Sequence, residues 1–348
     1  MSADPVDPGA PPDPRVAIVV PLFNKAPFVA DTLRSLMRQT YRQIELIIVD
    51  DGSTDGSPDL VRQTLEDFPV RFVQLTNGGV SRARNVGAAE ASDEATYILF
   101  LDADDLLAED AVATLVDHLE RHPEAAACYC RLRYVSADGV PLVDPPSDHR
   151  WAWTRFGRQS IPDDAAVTPL EAIWSKFWAI PSCCLIRRSA FAATMGWDRA
   201  LCPPATVFTA EDKDMAIQLA LQGELHRLPE RLVAYRLMPS AHAHALYDGY
   251  KALSVKWWSA ELGDEAKSRV RRAIRFDRRV AALDAIEAMG TAARHQTAGA
   301  VIGSGSRALR ACLRLVLTGP LMEHWSTLEK EATELTRLCG IPSQVRSA

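Results

Sequence analysis

The sequence lacks several features that would assign it to a specialised class of protein. It contains no C-x-x-C pair of the kind that holds zinc, and its seven cysteines are an odd number, which argues against a secreted framework fully paired within the chain. No uncharged apolar run approaches the ~18 residues of a membrane span. No basic segment followed by an apolar one stands near the first residue. We therefore expect a protein of a reducing compartment that resides in the cytoplasm.

Excess positive charge and glycine-rich phosphate loops are also missing. The formal net charge is −6, so nothing in the overall charge favours nucleic acid as a partner. No G-x-G-x-x-G follows the first strand-like run, which argues against a dinucleotide oxidoreductase. The segment at 21–25 has no glycine, unlike the phosphate loop expected of a sugar-nucleotide pyrophosphorylase. With 47% hydrophobic and 24% charged residues, the 348-residue chain instead matches an ordinary globular protein of about two domains.

Short strand-like runs alternate with helical patterns through about the first 120 residues. Four runs are rich in β-branched or aromatic residues and apolar enough for burial on both faces, at 16–20, 44–49, 70–75 and 95–101. Parallel strands joined by right-handed helical crossovers form an open twisted sheet. The expected fold class is therefore α/β with a mostly parallel sheet. Ligands in such folds bind outside the carboxyl ends of the strands.

Helical spacing supports this alternation and extends it towards the C-terminus. The first helical pattern places Val29, Leu33, Leu36 and Met37 on one face. The second has Ser57 as its predicted N-cap and Pro58 at its first position, with the apolar face given by Val61, Leu65 and Phe68. We also predict a strand at 126–135 with a turn and partner run at 140–143, a mobile loop at 144–164, and helices after residue 247.

Polar residues follow the second and third strand-like runs. The adjacent acids Asp50 and Asp51 form strands poorly, and a carboxylate here would accept hydrogen bonds from a base or a ribose, or would cap a loop that starts a helix. After the third run, Asn77-Gly78-Gly79 precedes a helical pattern with Arg82 and Arg84 in its first turn. Backbone amides and guanidinium groups at this point suit an anion or a nucleotide, although either arginine would also suit a solvated surface.

The fourth run ends in the densest acidic cluster, formed by Asp102, Asp104 and Asp105. Three acids in four residues concentrate negative charge, which a divalent cation would offset. In extended backbone Asp102 and Asp104 point to the same side, so one ion or its substrate would engage both. Such hard oxygen ligands suit Mg²⁺ or Mn²⁺ holding a diphosphate. The alternative, an acidic helix N-terminus, explains Asp105 and Glu109 better than it explains Asp102.

Three segments in order carry a resemblance to a known family: PLFNKAPFVADTLRSLMRQTYRQIELIIVDDGSTDGS, NGGVSRARNVG and YILFLDADD. Residues 16–107 resemble the nucleotide-binding half of a family 2 glycosyltransferase with the GT-A fold. The resemblance implies that Asp51 contacts uracil or an equivalent base, and that Asp102 and Asp104 form the D-x-D pair at the ribose, metal and diphosphate. The nucleotide-binding residues it implies are Pro21, Phe23, Asn24, Asp51, Asn77, Arg84, Asp102 and Ala103.

Segments at 181–191, 196–198 and 210–212 resemble the acceptor half of the same family. There the acid at the position of Asp212 is the catalytic base, and the attacking hydroxyl requires such a group because it must lose a proton. Glu211 would hold the acceptor. The alternative for this acidic pair is an ordinary helix start.

One family feature is altered in this sequence. Family members often have Tyr-Arg-x-His after the last strand, whereas here the fourth position is Met238, whose thioether is a weak ligand for Mg²⁺ or Mn²⁺. Either His242 or His244 would substitute, with water as the alternative. We assign His244 to the metal site beside Asp102 and Asp104.

The resemblance implies an inverting glycosyltransferase that uses Mn²⁺ or Mg²⁺. Its donor would be a nucleotide sugar, with UDP expected, and its acceptor a hydroxyl on a growing glycan or lipid-linked saccharide. The loop at 144–164 would act as a lid that excludes water. A non-catalytic sugar-nucleotide-binding or scaffold protein of this fold is the alternative. The predicted division is a flexible tail (1–14), a GT-A domain (15–245, with halves meeting at 125/126) and a C-terminal helical region (246–348).

The helical region carries a basic stretch at 267–279. Amphipathic basic helices can lie on anionic membranes, which would give peripheral contact at the inner face of the membrane. The alternative is a solvated helix face packed on the catalytic domain.

Overall fold

The structure is a computed structural model, and it describes residues 13–142, 180–201, 210–237 and 260–274, together with residues 167–168, 170, 173, 253 and 256–257. The predicted loop at 144–164 lies outside these residues, as do Met238, His242 and His244 and most of the C-terminal region. The division into tail, GT-A domain and helical region stays a prediction.

Strands and helices alternate through the first half, as the sequence pattern predicts. In chain order the first-half elements are β1 (Arg15–Leu22), α1 (Val29–Met37), β2 (Ile44–Asp50), α2 (Ser57–Thr64), β3 (Val70–Gln74), α3 (Val80–Glu90), β4 (Ala95–Phe100), β5 (Leu106–Leu107), α4 (Ala111–Arg121), β6 (Ala125–Val135) and β7 (Pro141–Leu142). The second-half elements are β8 (Cys184–Arg187), α5 (Arg188–Ala192), α6 (Glu211–Ala220) and β9 (Glu224–Arg236), with 3-10 turns at Pro181–Cys183 and Arg199–Leu201.

One curled sheet runs through the described structure in the order β3-β2-β1-β4-β8-β6-β9-β5, with β7 paired to β6. The first four strands are mutually parallel, which confirms the predicted α/β class and its parallel sheet. Strand β8 enters antiparallel between β4 and β6, so β4 and β6 run in the same direction. The carboxyl ends of β1, β2 and β4 therefore lie at one edge of the sheet, and the amino ends of β6 and β9 lie at the opposite edge.

Helix α3 packs very closely on this sheet. A Cβ atom built on Gly87 would lie 2.2 Å from Cγ1 of Val19 and 3.2 Å from Cγ2 of Val49. Only glycine fits at that distance, so the sequence places the helix directly against β1 and β2. The residues at the start of α3 are thereby held near the carboxyl ends of those strands.

Some local predictions are wrong for identifiable reasons. The run at 70–75 is not buried on both faces, because β3 is the edge strand of the sheet and exposes Arg71 and Gln74. Ser57 is not a cap, because α2 includes it as the first residue, while its hydroxyl accepts a 2.8 Å hydrogen bond from the backbone N–H of Lys25. Phe68 lies beyond the end of α2, and Met37 is 38% exposed at the end of α1.

The predicted hairpin after β6 is confirmed. Strands β6 and β7 pair antiparallel, and Gly139 at their turn has φ 79°, a conformation that glycine adopts without strain. Cys128, Cys130, Cys183 and Cys184 are free thiols, and the other three cysteines lie outside the described residues. Within the described part of the chain, no helix combines the length and the apolar composition needed to cross a bilayer.

The described part of the C-terminal region packs on the preceding residues. Val270, Ala273 and Ile274 are buried, and Arg269 donates a hydrogen bond to the backbone carbonyl of Ala220 at the end of α6. These contacts agree with a helix packed on the domain rather than one exposed on every side. Membrane contact stays a prediction.

Candidate active site

Loops that follow β1, β2, β3 and β4 meet at the carboxyl edge of the sheet. The backbone N–H of Asp51 donates to the carbonyl of Leu22, and Leu75 donates to Asp50, each at 2.8 Å. Leu101 donates to Val19 at 2.9 Å. These hydrogen bonds extend the parallel ladders past the strand ends and bring together the polar segments that the sequence singles out.

The side chain of Asp51 is 3% exposed and lies under the loop that starts α3. Its Oδ1 accepts a 2.9 Å hydrogen bond from the N–H of Gly78, and its Oδ2 accepts a 2.8 Å bond from the N–H of Gly79. Gly79, the N-cap of α3, has φ 90°. Asp51 thus shapes the glycine loop, as the capping alternative proposed. Its contact with a base stays a prediction, as does that of the exposed Asn77 beside it.

Three of the predicted nucleotide-binding residues lie at the end of β1 and in the loop that follows it. Pro21 is buried and pairs in register with Val49, while the ring of Phe23 is 44% exposed. Asn24 has φ 51°, and its side-chain oxygen accepts a 2.8 Å hydrogen bond from the N–H of Thr54. The loops after β1 and β2 are therefore joined through Asn24, with an aromatic ring left open to solvent at their edge.

The acidic cluster after β4 forms a turn, not the extended segment that was predicted. The N–H of Asp105 donates to the carbonyl of Asp102 at 3.1 Å, which reverses the chain across the buried Ala103. The side chains of Asp102 and Asp104 pair with different basic residues, and Asp102 pairs with Arg84. Asp104 forms an ion pair with Lys25, whose importance the sequence did not indicate.

Asp105 is a buried anchor of this turn and does not belong to a helix N-terminus. Helix α4 begins later, at Ala111, so the helix-start explanation of Asp105 is wrong, whereas the exposed Glu109 directly precedes the N-cap Asp110 of that helix. Asp105 accepts hydrogen bonds from the hydroxyl of Ser182 at 2.6 Å and from the N–H of Arg236 at 3.2 Å. Burial, and then the nearby charges of Asp104 and Asp102, raise the pKa of Asp105 well above its usual value.

Ser182 and Arg236 are second-half residues that hold the acidic turn from behind. The hydroxyl of Ser182 also accepts a 3.1 Å hydrogen bond from the N–H of Asp102. Nε of Arg236 donates to the carbonyl of Asp104 at 3.0 Å, and its guanidinium lies 5.0 Å from the centre of the Phe28 ring. Ser182 lies in the segment 181–191 and Arg236 two residues before Met238, but their contacts to the acidic turn depend on the closed sheet.

Arg84 joins the two halves of the site. Its side chain is 4% exposed, and Nη2 donates to Oδ1 of Asp102 at 2.8 Å. Nη1 lies 3.4 Å from Oδ1 of Asp212 and 3.6 Å from Oε1 of Glu211. The guanidinium stacks over the ring of Trp197, with its carbon 4.5 Å from the ring centre. Burial alone would lower the pKa of Arg84, but the three acids outweigh it and raise that pKa, so Arg84 stays charged. Of the two arginines, Arg84 is the one in the site.

Arg82 instead stabilises the local loop. Its Nη1 donates a 2.7 Å hydrogen bond to the carbonyl of Thr76. This contact matches the surface alternative for that arginine.

Asp212 lies in the first turn of α6 beside Glu211, and 34% of its side chain is exposed. A small apolar cavity lined by Trp197, Ile186 and Met215 adjoins it. Burial, followed by the charge of Glu211, raises the pKa of Asp212 well above its usual value, against the opposing effect of Arg84. A partly exposed carboxylate with a raised pKa can accept a proton near neutral pH.

The loop that carries Trp197 is fixed from both sides. The side-chain amide of Asn85 on α3 donates to the carbonyl of Trp197 and accepts from its N–H, both at 2.8 Å. Gln218 on α6 donates to the carbonyl of Gly196 at 3.0 Å. The ring of Trp197 is thereby held under Arg84, an arrangement that joins residues more than a hundred positions apart.

A second anchor ties α6 to the segment after β9. The side chain of Asp214 is 1% exposed. It accepts a 2.8 Å hydrogen bond from Nζ of Lys256 and a 2.7 Å hydrogen bond from Nε1 of Trp257. Lys256 also reaches Asp198 at 2.8 Å. These buried contacts fix the orientation of the helix that carries Asp212.

Comparison with known sequences matches one family. The family described as glycosyl transferase family 2 matches residues 17–194, just over half of the chain. Glycosyltransferase GlyG of Streptococcus pneumoniae is 32% identical over 126 residues, which are 36% of this chain and 41% of that protein. Glycosyltransferase EpsJ of Bacillus subtilis, described as uncharacterized, is 37% identical over 110 residues, 31% of each chain. The chain thus covers well under half of the length of these relatives.

Solved structures with a similar fold cover nearly the whole chain. S. aureus TarS 1-349 in complex with UDP-GlcNAc has a TM-score of 0.59 at 17% identity, over 95% of this chain and 93% of that one. The mannosyltransferase PcManGT from Pyrobaculum calidifontis, in complex with GDP-Man and Mn²⁺, has a TM-score of 0.53 at 21% identity, over 96% and 91%. At these identities the likeness shows a common fold, which is of the GT-A type.

Proposed function

This chain belongs to glycosyl transferase family 2, and we propose that it is an inverting enzyme that moves a sugar from a UDP-linked donor to a hydroxyl acceptor. The observation that carries the proposal is the buried guanidinium of Arg84, which contacts Asp102 on one side and Asp212 and Glu211 on the other. It brings the acid that follows β4, where donor phosphates would lie, next to a carboxylate of raised pKa on α6.

Asp212 is the proposed base. In a single displacement the acceptor hydroxyl attacks the anomeric carbon while the nucleoside diphosphate departs from the opposite face, so the base must lie on the acceptor side. Asp212 stands on α6 and faces the donor-side acids across Arg84. Glu211, 9% exposed beside it, would orient the acceptor and keep the pKa of Asp212 high.

Donor recognition is proposed at the strand ends. Phe23, Asn24, Asp51 and Asn77 lie in the loops after β1, β2 and β3, and the TarS fragment of similar fold is known with UDP-GlcNAc. The exposed ring of Phe23 offers a face on which a base can stack. The acceptor class, a glycan or a lipid-linked saccharide, stays a proposal drawn from the family.

A divalent cation, Mn²⁺ or Mg²⁺, fits the acids after β4. Oδ1 of Asp102 is paired with Arg84 and Oδ2 of Asp104 with Lys25, and the second oxygen of each carboxylate lies outside those ion pairs. Hard carboxylate oxygens are the donors that these cations prefer. Asp102 and Asp104 would hold the ion, which when bound neutralises charge on the departing diphosphate. His244 stays a predicted third ligand.

The decisive test is Asp212→Asn, assayed with a panel of nucleotide sugars and Mn²⁺. The variant should keep UDP affinity and lose about 10²- to 10⁴-fold in turnover of the donor, the usual contribution of a general base. Asp117→Asn is the matched control, because Asp117 is an exposed acid on α4. Undiminished turnover in Asp212→Asn would refute the assignment. A wild-type protein that binds UDP sugars and turns none over would instead favour the non-catalytic binding protein.

A further inference from the structure

Three histidines meet at the edge of the sheet opposite the proposed active site. His118 and His122 lie four residues apart at the end of α4, and His226 lies near the start of β9. The centres of their rings are 4.5 Å apart for His118 and His122, 5.2 Å for His118 and His226, and 4.8 Å for His122 and His226. Nothing in the proposed transfer reaction uses these side chains.

The imidazole nitrogens are already close to the spacing of metal ligands. Nε2 of His118 lies 3.0 Å from Nδ1 of His226, and one nitrogen from each of the three rings lies within 4.8 Å of the others. Two nitrogens bound to the same tetrahedral Zn²⁺ are about 3.4 Å apart, since each Zn–N bond is about 2.1 Å. Only a small movement of the third ring would complete the set.

Carboxylates occupy the outer nitrogens of two of these rings. Nε2 of His226 lies 3.0 Å from Glu224, and Nδ1 of His122 lies 3.0 Å from Glu124. Metal-binding histidines commonly donate their other N–H to a carboxylate, which sets the tautomer and the ring orientation. That pattern leaves Nδ1 of His226 and Nε2 of His122 to face a metal.

We propose that His118, His122 and His226 bind one divalent transition-metal ion, with Zn²⁺ as the expected occupant and Glu124 and Glu224 as its outer carboxylates. Imidazole ligands suit Zn²⁺, Cu²⁺ and Ni²⁺ better than the Mg²⁺ or Mn²⁺ expected at the active site. The ion joins the end of α4 to the start of β9. Three nitrogen ligands leave a fourth position for water.

The surroundings allow a cation. Arg187 donates to the carbonyl of His122 at 3.0 Å, and so its charge is directed at the backbone. Arg121 pairs with Asp117. The two glutamates balance the charge of an ion bound between the rings.

The test uses the full chain without a histidine tag, stripped of metal with a chelator and titrated with Co²⁺ and then Zn²⁺. We expect one Co²⁺ per chain, with the strong visible absorption of a four-coordinate site, displaced by Zn²⁺. His122→Gln and His118→Gln should each weaken Zn²⁺ binding at least tenfold, as followed by calorimetry. His122 is the safer variant to fold, because 37% of its side chain is exposed.

Two controls separate this site from others. Asp59→Asn, which changes an exposed acid on α2 that pairs with Arg62, should bind Zn²⁺ as the wild type does. Asp104→Asn should also keep the four-coordinate Co²⁺ absorption, because the acids after β4 are distant. Failure of the wild-type protein to bind Co²⁺ stoichiometrically would overturn the proposal. So would a Zn²⁺ affinity equal to that of the wild type in both histidine variants, once circular dichroism has shown that they are folded.

Discussion

Arg84→Met should destabilise the protein by an amount that depends strongly on pH. The substitution removes a 4%-exposed guanidinium from three acids, Asp102 at 2.8 Å, Asp212 at 3.4 Å and Glu211 at 3.6 Å. Removal of one partner from a buried ion pair typically costs about 3–5 kcal/mol, because the remaining charge has no counterion. We expect a loss of free energy of unfolding within that range at pH 8.

The loss should shrink as the pH falls. Arg84 lowers the pKa of Asp212, so without Arg84 that pKa, already raised by burial, rises further above its value in the unfolded chain. An acid whose pKa is raised by folding contributes stability below its unfolded pKa and loses it as the pH rises through the folded pKa. The free energy of unfolding of the variant should therefore be closest to that of the wild type in mildly acidic buffer and furthest below it in alkaline buffer.

Urea denaturation at several pH values between 5 and 8.5 measures both quantities. Arg82→Met is the matched control, since Arg82 lies on the same helix and donates its hydrogen bond to the backbone carbonyl of Thr76. It should change the free energy of unfolding by less than about 1 kcal/mol at every pH. A loss in Arg84→Met that is the same at pH 5 and pH 8.5 would contradict the charge argument, because lost packing alone does not titrate.

Two further predictions concern the pH profile and the cation. Glu211→Gln should move the acidic limb of the pH profile of turnover to lower pH, because the charge of Glu211 helps raise the pKa of Asp212 and only the carboxylate form accepts a proton. The control is Glu109→Gln, which changes an exposed acid and should leave the limb in place. A limb that stays in place in Glu211→Gln as well would contradict the prediction. Lys25→Met should tighten Mn²⁺ binding about 2- to 5-fold in calorimetry, because the metal then no longer competes with Lys25 for the carboxylate of Asp104. The ion pair that is removed contributes about 0.5–1 kcal/mol. Arg34→Met on α1 is its control, and weaker binding in Lys25→Met would show that Lys25 supports the cation site.

Local patterns were sufficient to predict the first half of the fold. Apolar runs long enough for buried strands, separated by amphipathic helices, admit few arrangements other than parallel strands with right-handed crossovers. The residues after β1, β2 and β4 then had to meet at one edge, and they do. Predictions failed where they depended on residues distant in the sequence. Strand β3 exposes Arg71 because it is an edge strand, and the Ser57 hydroxyl accepts a hydrogen bond from the N–H of Lys25 instead of capping α2.

The candidate site shows where such reasoning stops. Arg82 and Arg84 are nearly equivalent in the sequence, yet only Arg84 points into a buried acidic cluster built from α6, 128 residues away along the chain. The pairing of Lys25 with Asp104 and the meeting of His118 with His226 likewise join residues 79 and 108 positions apart. Composition and spacing established an α/β sheet with acids at its strand ends, because backbone geometry and burial act over a few residues. Which charges face one another was left to the closure of the sheet, because ion pairs and ligand sets depend on distances of a few ångströms between segments that the chain order does not relate.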